Sequence, residues 1–89
     1  MITTLDLLNG LKARYNLPSN YKAAKHLGIT PTAVNSWHKG VSMSSKTGLR
    51  VAELLDMDVD FVHVCLLLEK AKDELEKASL ERIIAKIEK

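Results

Sequence analysis

A chain of 89 residues, 46% apolar and 27% charged, has the composition of one folded domain and not of a disordered tail. One cysteine, Cys65, excludes an internal disulfide framework and a multi-cysteine zinc or iron–sulfur site, and only Tyr15, Tyr21, Trp37 and Phe61 are aromatic, so the core is aliphatic. The net charge of +2 hides an asymmetry: residues 1–50 carry seven Lys/Arg against Asp6 alone, a net of +6, and residues 51–89 carry six Lys/Arg against ten acids, a net of −4. A basic half joined to an acidic half points to a polyanion partner for the first half only.

No secretory leader is expected from Met1 to Asp6, which lacks a basic region followed by a long apolar stretch. The longest nearly uncharged apolar run, Phe61 to Leu68, is eight residues, against the about 20 that span a bilayer. The expected compartment is the cytoplasm, with no membrane partner.

Thr3 or Thr4 can cap a first helix through about Tyr15, with Asp6 in its first turn and an apolar stripe of Leu5, Leu8, Leu11 (or Lys12) and Tyr15. Pro18 ends that pattern and Ser19 caps a second, short helix from Asn20 to Leu27, whose inward residues are Tyr21, Ala23, Ala24 and Leu27. Gly28 suits the left-handed turn after it. Thr30 and Pro31, an N-cap followed by proline at the first helical position, open a third helix to about Lys39, which ends at Gly40.

A polar link, Val41 to Ser44, leads to a fourth helix from about Ser45 to Asp56, with Leu49, Val51 or Ala52, Leu54 and Leu55 inward. Asp58 or Asp60 opens a fifth segment. Its Phe61–Leu68 run is apolar nearly all round, which periodicity alone leaves open between helix and strand. Helix is preferred because Glu69-Lys70-Ala71-Lys72 continues with good helix formers. Asp73 with Glu76 three residues on starts a last helix to about Ile87, striped by Leu80, Ile83, Ile84 and Ile87.

Residues 20–39 carry the functional signal. Two short helices meet at Gly28-Ile29-Thr30, a three-residue turn with glycine, which is helix-turn-helix spacing. Ala24 is small where the two helices approach, Gly28 makes the turn, and Ile29, Val34 and Trp37 dock the second helix. With Val34 and Trp37 inward, Thr32 and Lys39 point about 170° away and Asn35 and Ser36 about 130° away. No acid lies between Asp6 and Glu53. Asn pairs with adenine, Ser and Thr bond base edges or phosphate, Lys reaches guanine or phosphate, and a major groove about 12 Å wide admits one helix.

These residues resemble the phage repressor and Cro type of helix-turn-helix domain, lambda repressor-like in its first four helices. The resemblance covers Thr3 to about Met57, about 60% of the chain, and rests on Ala24, Gly28, Ile29, Val34 and Trp37 at the family's small, glycine and apolar positions. It implies an all-α, lambda repressor-like bundle of about five to six helices with a DNA-binding core, 1–57; the C-terminal helical extension, 58–89, lies beyond the resemblance and is expected to serve dimerisation. The resemblance further implies a transcriptional regulator, repressor or Cro-like, bound to bacterial nucleoid DNA. Thr32, Asn35 and Ser36 match base-reading positions. Asn20 and Lys39 match backbone-contacting ones, and Lys22, Thr30, Ser42 and Lys46 are assigned to the backbone as well. The chain departs from the family at Pro31, where many relatives place a base-reading polar side chain, so that contact is lost or replaced by apolar contact with a thymine methyl.

Other features have plainer readings. Trp37 belongs to the core rather than to a stacking platform. His26, His38 and His63 are isolated, so no metal is expected. Cys65 is a buried structural thiol. Capping of the fourth helix explains at least one of Ser42, Ser44 and Ser45 as well as phosphate binding would, and Asp56, Asp58 and Asp60 lack the glycine and final glutamate of a calcium loop. Lys70, Lys72, Lys77 and Lys86 alternate with glutamates as ordinary helix surface.

A helix apolar all round needs partners on several sides, and each buried Leu, Val or Phe contributes roughly 1.5–3 kcal/mol. A homodimer built from the last two helices through Phe61, Val64, Leu68, Ile83, Ile84 and Ile87 is therefore expected. The chain has no paired carboxylate, Ser/His/Asp arrangement or glycine-rich phosphate loop, so neither enzyme activity nor a cofactor is expected. The rival expectation is a protein-interaction module, such as an antitoxin or polymerase-binding regulator, acting through its C-terminal helices.

Overall fold

A computed structural model of the chain describes residues 1–88; Lys89, the last residue of the expected 58–89 extension, lies outside the described residues. The fold is all-α: α1 Thr4–Tyr15, α2 Asn20–Leu27, α3 Pro31–Trp37, α4 Ser45–Leu54, α5 Val59–Lys70 and α6 Glu74–Ile87, with no strand among the described residues. The Phe61–Leu68 run is helix.

Each helix begins at a short polar side chain that accepts a bond from a free N–H of the first turn: Thr3, Ser19, Thr30, Ser44, Asp58 and Asp73. Thr3 and Asp6 form a reciprocal capping box. α1 ends in a left-handed Asn16 and α2 in Gly28 at φ 71°. Two ends come earlier than expected: α3 stops at Trp37 and turns through His38 and Lys39 to Gly40 at φ 97°, and α4 stops at Leu54.

One core is shared by five helices. Leu7, Leu8 and Leu11 of α1, Ala23, Ala24 and Leu27 of α2, and Val34 and Trp37 of α3 pack with Met43, with Val51 and Ala52 of α4, and with Val62 and Leu66 of α5. α1 packs on α4 and α2, α2 on α3, α4 on α5, and α6 principally on α5. α5 supplies two residues, Val62 and Leu66, to the core of the first four helices, so packing crosses the expected boundary at 57/58. α4 approaches α5 through Gly48, where a Cβ would collide with Leu66 Cδ1 and lie 3.6 Å from Met43 Sδ.

Three inward assignments are corrected. Leu5 and Tyr15 are 37% and 36% exposed, and Tyr21 is 59% exposed. The buried face of α1 is Thr4, Leu7, Leu8 and Leu11, the i, i+3, i+4, i+7 face of a helix, with a polar residue in the place that hydropathy alone would give to Leu5. Thr4 is tolerated there because its N–H donates to Glu69 Oε2 at 3.0 Å, its hydroxyl donates to Glu69 Oε1, and Met43 N–H donates to Thr4 Oγ1 at 3.0 Å. The hydroxyl of Tyr15 donates to the Leu54 carbonyl at 3.1 Å, which requires its rim position. The link before α4 is also less polar inside than expected: Met43 is fully buried and Val41 is 54% exposed.

Candidate nucleic-acid interface

The site is built on α2, the Gly28–Thr30 turn and α3. Its inner side is set by Ala23 and Ala24, whose small side chains let α3 approach closely, and by Val34 and Trp37, 0% and 5% exposed. Ile29 is half-buried against the same core. The N–H of Ile29 donates to the Ala24 carbonyl at 3.0 Å, fixing the turn. Arg50 of α4 donates to the Leu27 carbonyl at 3.0 Å and so satisfies a free carbonyl at the negative end of α2.

On the outer side Thr32, Asn35, Lys39, Lys22 and Lys46 are exposed, and none of these three lysines takes part in the two ion pairs of the described residues, Arg14–Asp56 and Lys77–Glu74. Thr30 accepts from Ala33 N–H at 3.2 Å as the α3 cap, which leaves its hydroxyl proton able to donate outward. Lys46 lies beside the turn, in a hollow of about 210 Å³ with Gly28, Ile29, Thr47 and Arg50. All five exposed residues come from the stretch between Asp6 and Glu53, which contains no acid.

Two assigned residues sit differently. Ser36 is only half exposed, and its hydroxyl donates to the Ala33 carbonyl at 2.6 Å, so its proton is engaged inside α3 and it can offer only a lone pair to a base. Ser42 lines a depression that also holds Trp37, Val41 and the carboxylate of Glu69, a poor setting for a phosphate.

The structure adds residues that were not assigned to the site. Asn20 Oδ1 accepts from Lys12 Nζ of α1 at 2.6 Å and lies 3.4 Å from His38 Nε2, while Asn20 Nδ2 donates to Asn35 Oδ1 at 3.4 Å. No sequence signal joins Lys12 to Asn20, since the contact crosses the turn between two helices. Tyr21, on the outside of α2, shares a shallow hollow with Lys25, Ile29 and Pro31 at the start of α3.

In the acidic half, Phe61, Val64 and Leu68 are half-buried, and Ile83 and Ile87 are each 40% exposed on α6. Ile84, expected at a subunit contact, is corrected: it is 6% exposed inside its own chain and lines a groove of about 590 Å³ with Leu68, Ala71, Ala85 and Met1. Cys65 is buried. Among the described residues no group of three or more His, Cys, Asp or Glu is placed to hold a metal ion, and no helix is long and apolar enough to cross a membrane. Comparison with models of known protein families, with curated proteins and with solved structures finds no match.

Proposed function

We propose that this chain is a sequence-specific double-stranded DNA-binding transcriptional regulator of the phage repressor or Cro type, acting in the cytoplasm as a homodimer with α3 of each subunit in the major groove. The observation that carries the reading is the two-sided α2–α3 pair. One side is locked to the core through Ala24, Val34 and Trp37, and the other exposes Thr32 and Asn35 among Lys22, Lys39 and Lys46, in a stretch without an acid from residue 7 to residue 52. A rigid helix with short polar side chains outward suits base edges, and flanking lysines suit phosphates.

Two-fold symmetry requires a pseudo-palindromic operator with half-site centres about 34 Å apart, or a multiple. If about five phosphates are neutralised per subunit, log affinity falls with log salt with a slope near −9 per dimer. Selection of bound duplexes from a random pool tests the proposal. An enriched palindrome supports it, and a pool that stays random sinks it.

A second reading has its own observation. Leu75, Ile83 and Ile87 of α6 are exposed, Leu75 by 81%, which also suits a protein-interaction module working through the C-terminal helices. Deleting residues 73–89 separates the two. The regulator loses dimerisation and operator affinity together, whereas the module loses its protein partner and never selects a DNA sequence.

A further inference from the structure

Asn20 stands where three elements meet: it links Lys12 of α1 and His38, past the end of α3, to Asn35 on the outer face of α3. The polarity of this chain of bonds is set at one end. An ammonium can only donate, so Lys12 must meet the oxygen of the Asn20 amide. The NH₂ end of Asn20 then faces Asn35, where only the oxygen can receive it. Asn35 is left with both Nδ2 hydrogens and one Oδ1 lone pair for anything outside the protein.

That leftover pattern is directional. An amide donor beside an amide acceptor matches the N7 and N6–H₂ of adenine, whereas the N7 and O6 of guanine are both acceptors and leave Oδ1 facing an oxygen or nitrogen lone pair. If Lys12 is absent, only His38 Nε2, at 3.4 Å, remains against the Asn20 oxygen, and an imidazole nitrogen that can donate or accept does not fix the amide one way round as an ammonium does. Asn20 and Asn35 can then rotate together, and Asn35 presents its two ends in either order.

We infer that Lys12 is a specificity-determining positioning residue, which acts through Asn20 to hold the Asn35 amide in one of its two orientations. The inference rests on the DNA-reading function proposed above. A lysine on α1 thus contributes to the base preference of α3 as well as positive charge.

The test has two readouts. In the free protein, the side-chain amide resonances of Asn35 are recorded by ¹⁵N–¹H spectroscopy for Lys12→Met, Lys12→Arg and Lys46→Met. Lys12→Met is expected to move them, and Lys12→Arg, which keeps a donor-only cation, to move them less. Lys46→Met, the same charge loss away from Asn20, should leave them in place. On DNA, the base pair read by Asn35 is first located as the one at which Asn35→Ala relaxes preference. Lys12→Met is then expected to lower discrimination at that pair by roughly fivefold or more, with Lys12→Arg retaining it and Lys46→Met weakening all sequences alike.

Unmoved Asn35 resonances in Lys12→Met overturn the relay. A Lys12→Met loss that is equal for every base at that position overturns it too, since Lys12 is then a phosphate contact and nothing more. Absence of any enriched duplex sinks the DNA-reading function and this inference with it, and the Asn35 resonances, read without DNA, tell that failure apart from failure of the relay.

Discussion

Glu69 on α5 binds both polar hydrogens of Thr4 at the first turn of α1: its carboxylate accepts the Thr4 N–H at 3.0 Å and the Thr4 hydroxyl, while Thr4 Oγ1 in turn accepts Met43 N–H at 3.0 Å. A negative group at the positive end of α1 satisfies a free N–H and interacts favourably with the helix dipole. The contact joins residues 65 apart in sequence and ties the acidic half of the chain to the loop leading into α4.

Glu69→Ala leaves these Thr4 donors without a partner, which costs about 2 kcal/mol. For a domain of this size that is a fall in Tm of roughly 8–15 °C. Thr4→Val should cost a similar amount, and the double variant much less than the two together, because both remove one network. Thermal unfolding followed by circular dichroism gives all three values; strictly additive losses would show that the contact does not couple the two residues.

Gly48→Ala is expected to destabilise the fold although alanine is the better helix former by about 1 kcal/mol. The added methyl collides with the fully buried Leu66, and overpacking of a tight core costs about 1–3 kcal/mol. Denaturant titration should show a net loss, and the loss caused by Gly48→Ala should be smaller when it is measured in a Leu66→Ala background. A stabilised Gly48→Ala would mean that α5 can move away from α4 freely.

Gly28→Ala fails for a different reason. Nothing lies within 4 Å of the position a Cβ would take, but φ is 71°, and the left-handed region costs an L-residue roughly 1–2 kcal/mol. Gly28→Asn should recover part of that loss, as asparagine tolerates this conformation. Equal denaturation midpoints for the alanine and asparagine variants would contradict this account.

The three isoleucines of α6 should separate stability from association. Ile84→Ala removes a buried side chain and costs about 2 kcal/mol or more. Ile83→Asp and Ile87→Asp replace exposed side chains, and surface changes of that kind leave the monomer within about 0.5 kcal/mol. With the proposed dimer built on this face, sedimentation is expected to find the unaltered chain dimeric and both aspartate variants monomeric. A dimer that survives both substitutions places its contact elsewhere.

On DNA, Asn35→Ala should cost about 1–3 kcal/mol on the selected duplex and little on random duplexes. Lys39→Ala should weaken both alike. Fluorescence anisotropy at fixed salt measures the four affinities; equal losses for Asn35→Ala on the two DNAs would remove it from base reading.

Local chemistry was legible along the chain. Ser19, Thr30 and Asp73 cap helices, Gly28 turns left-handed and Pro31 opens α3, because a cap or a turn involves residues only two to four apart. Three buried residues of α2 and α3 were equally plain, since Ala24, Val34 and Trp37 follow from helical period. What failed was hydropathy used alone. It placed Leu5 and Tyr21 inside and passed over Thr4 and Met43, the first of which is buried only because Glu69 satisfies it.

By itself, then, the sequence determined the helices, their caps, the helix-turn-helix spacing and the separation of basic from acidic halves, all of which are properties of neighbours and of composition. The tertiary structure alone decided that α5 joins the core of α1–α4 through Val62 and Leu66, that Leu66 fills the space above Gly48, that Ile84 faces inward, and that Lys12 meets Asn20 and Asn20 meets Asn35. The reason is range. Periodicity names the face a helix buries, but the partner that satisfies a polar group or fills the space above a glycine comes from a distant part of the chain, and its position exists only once the helices have packed.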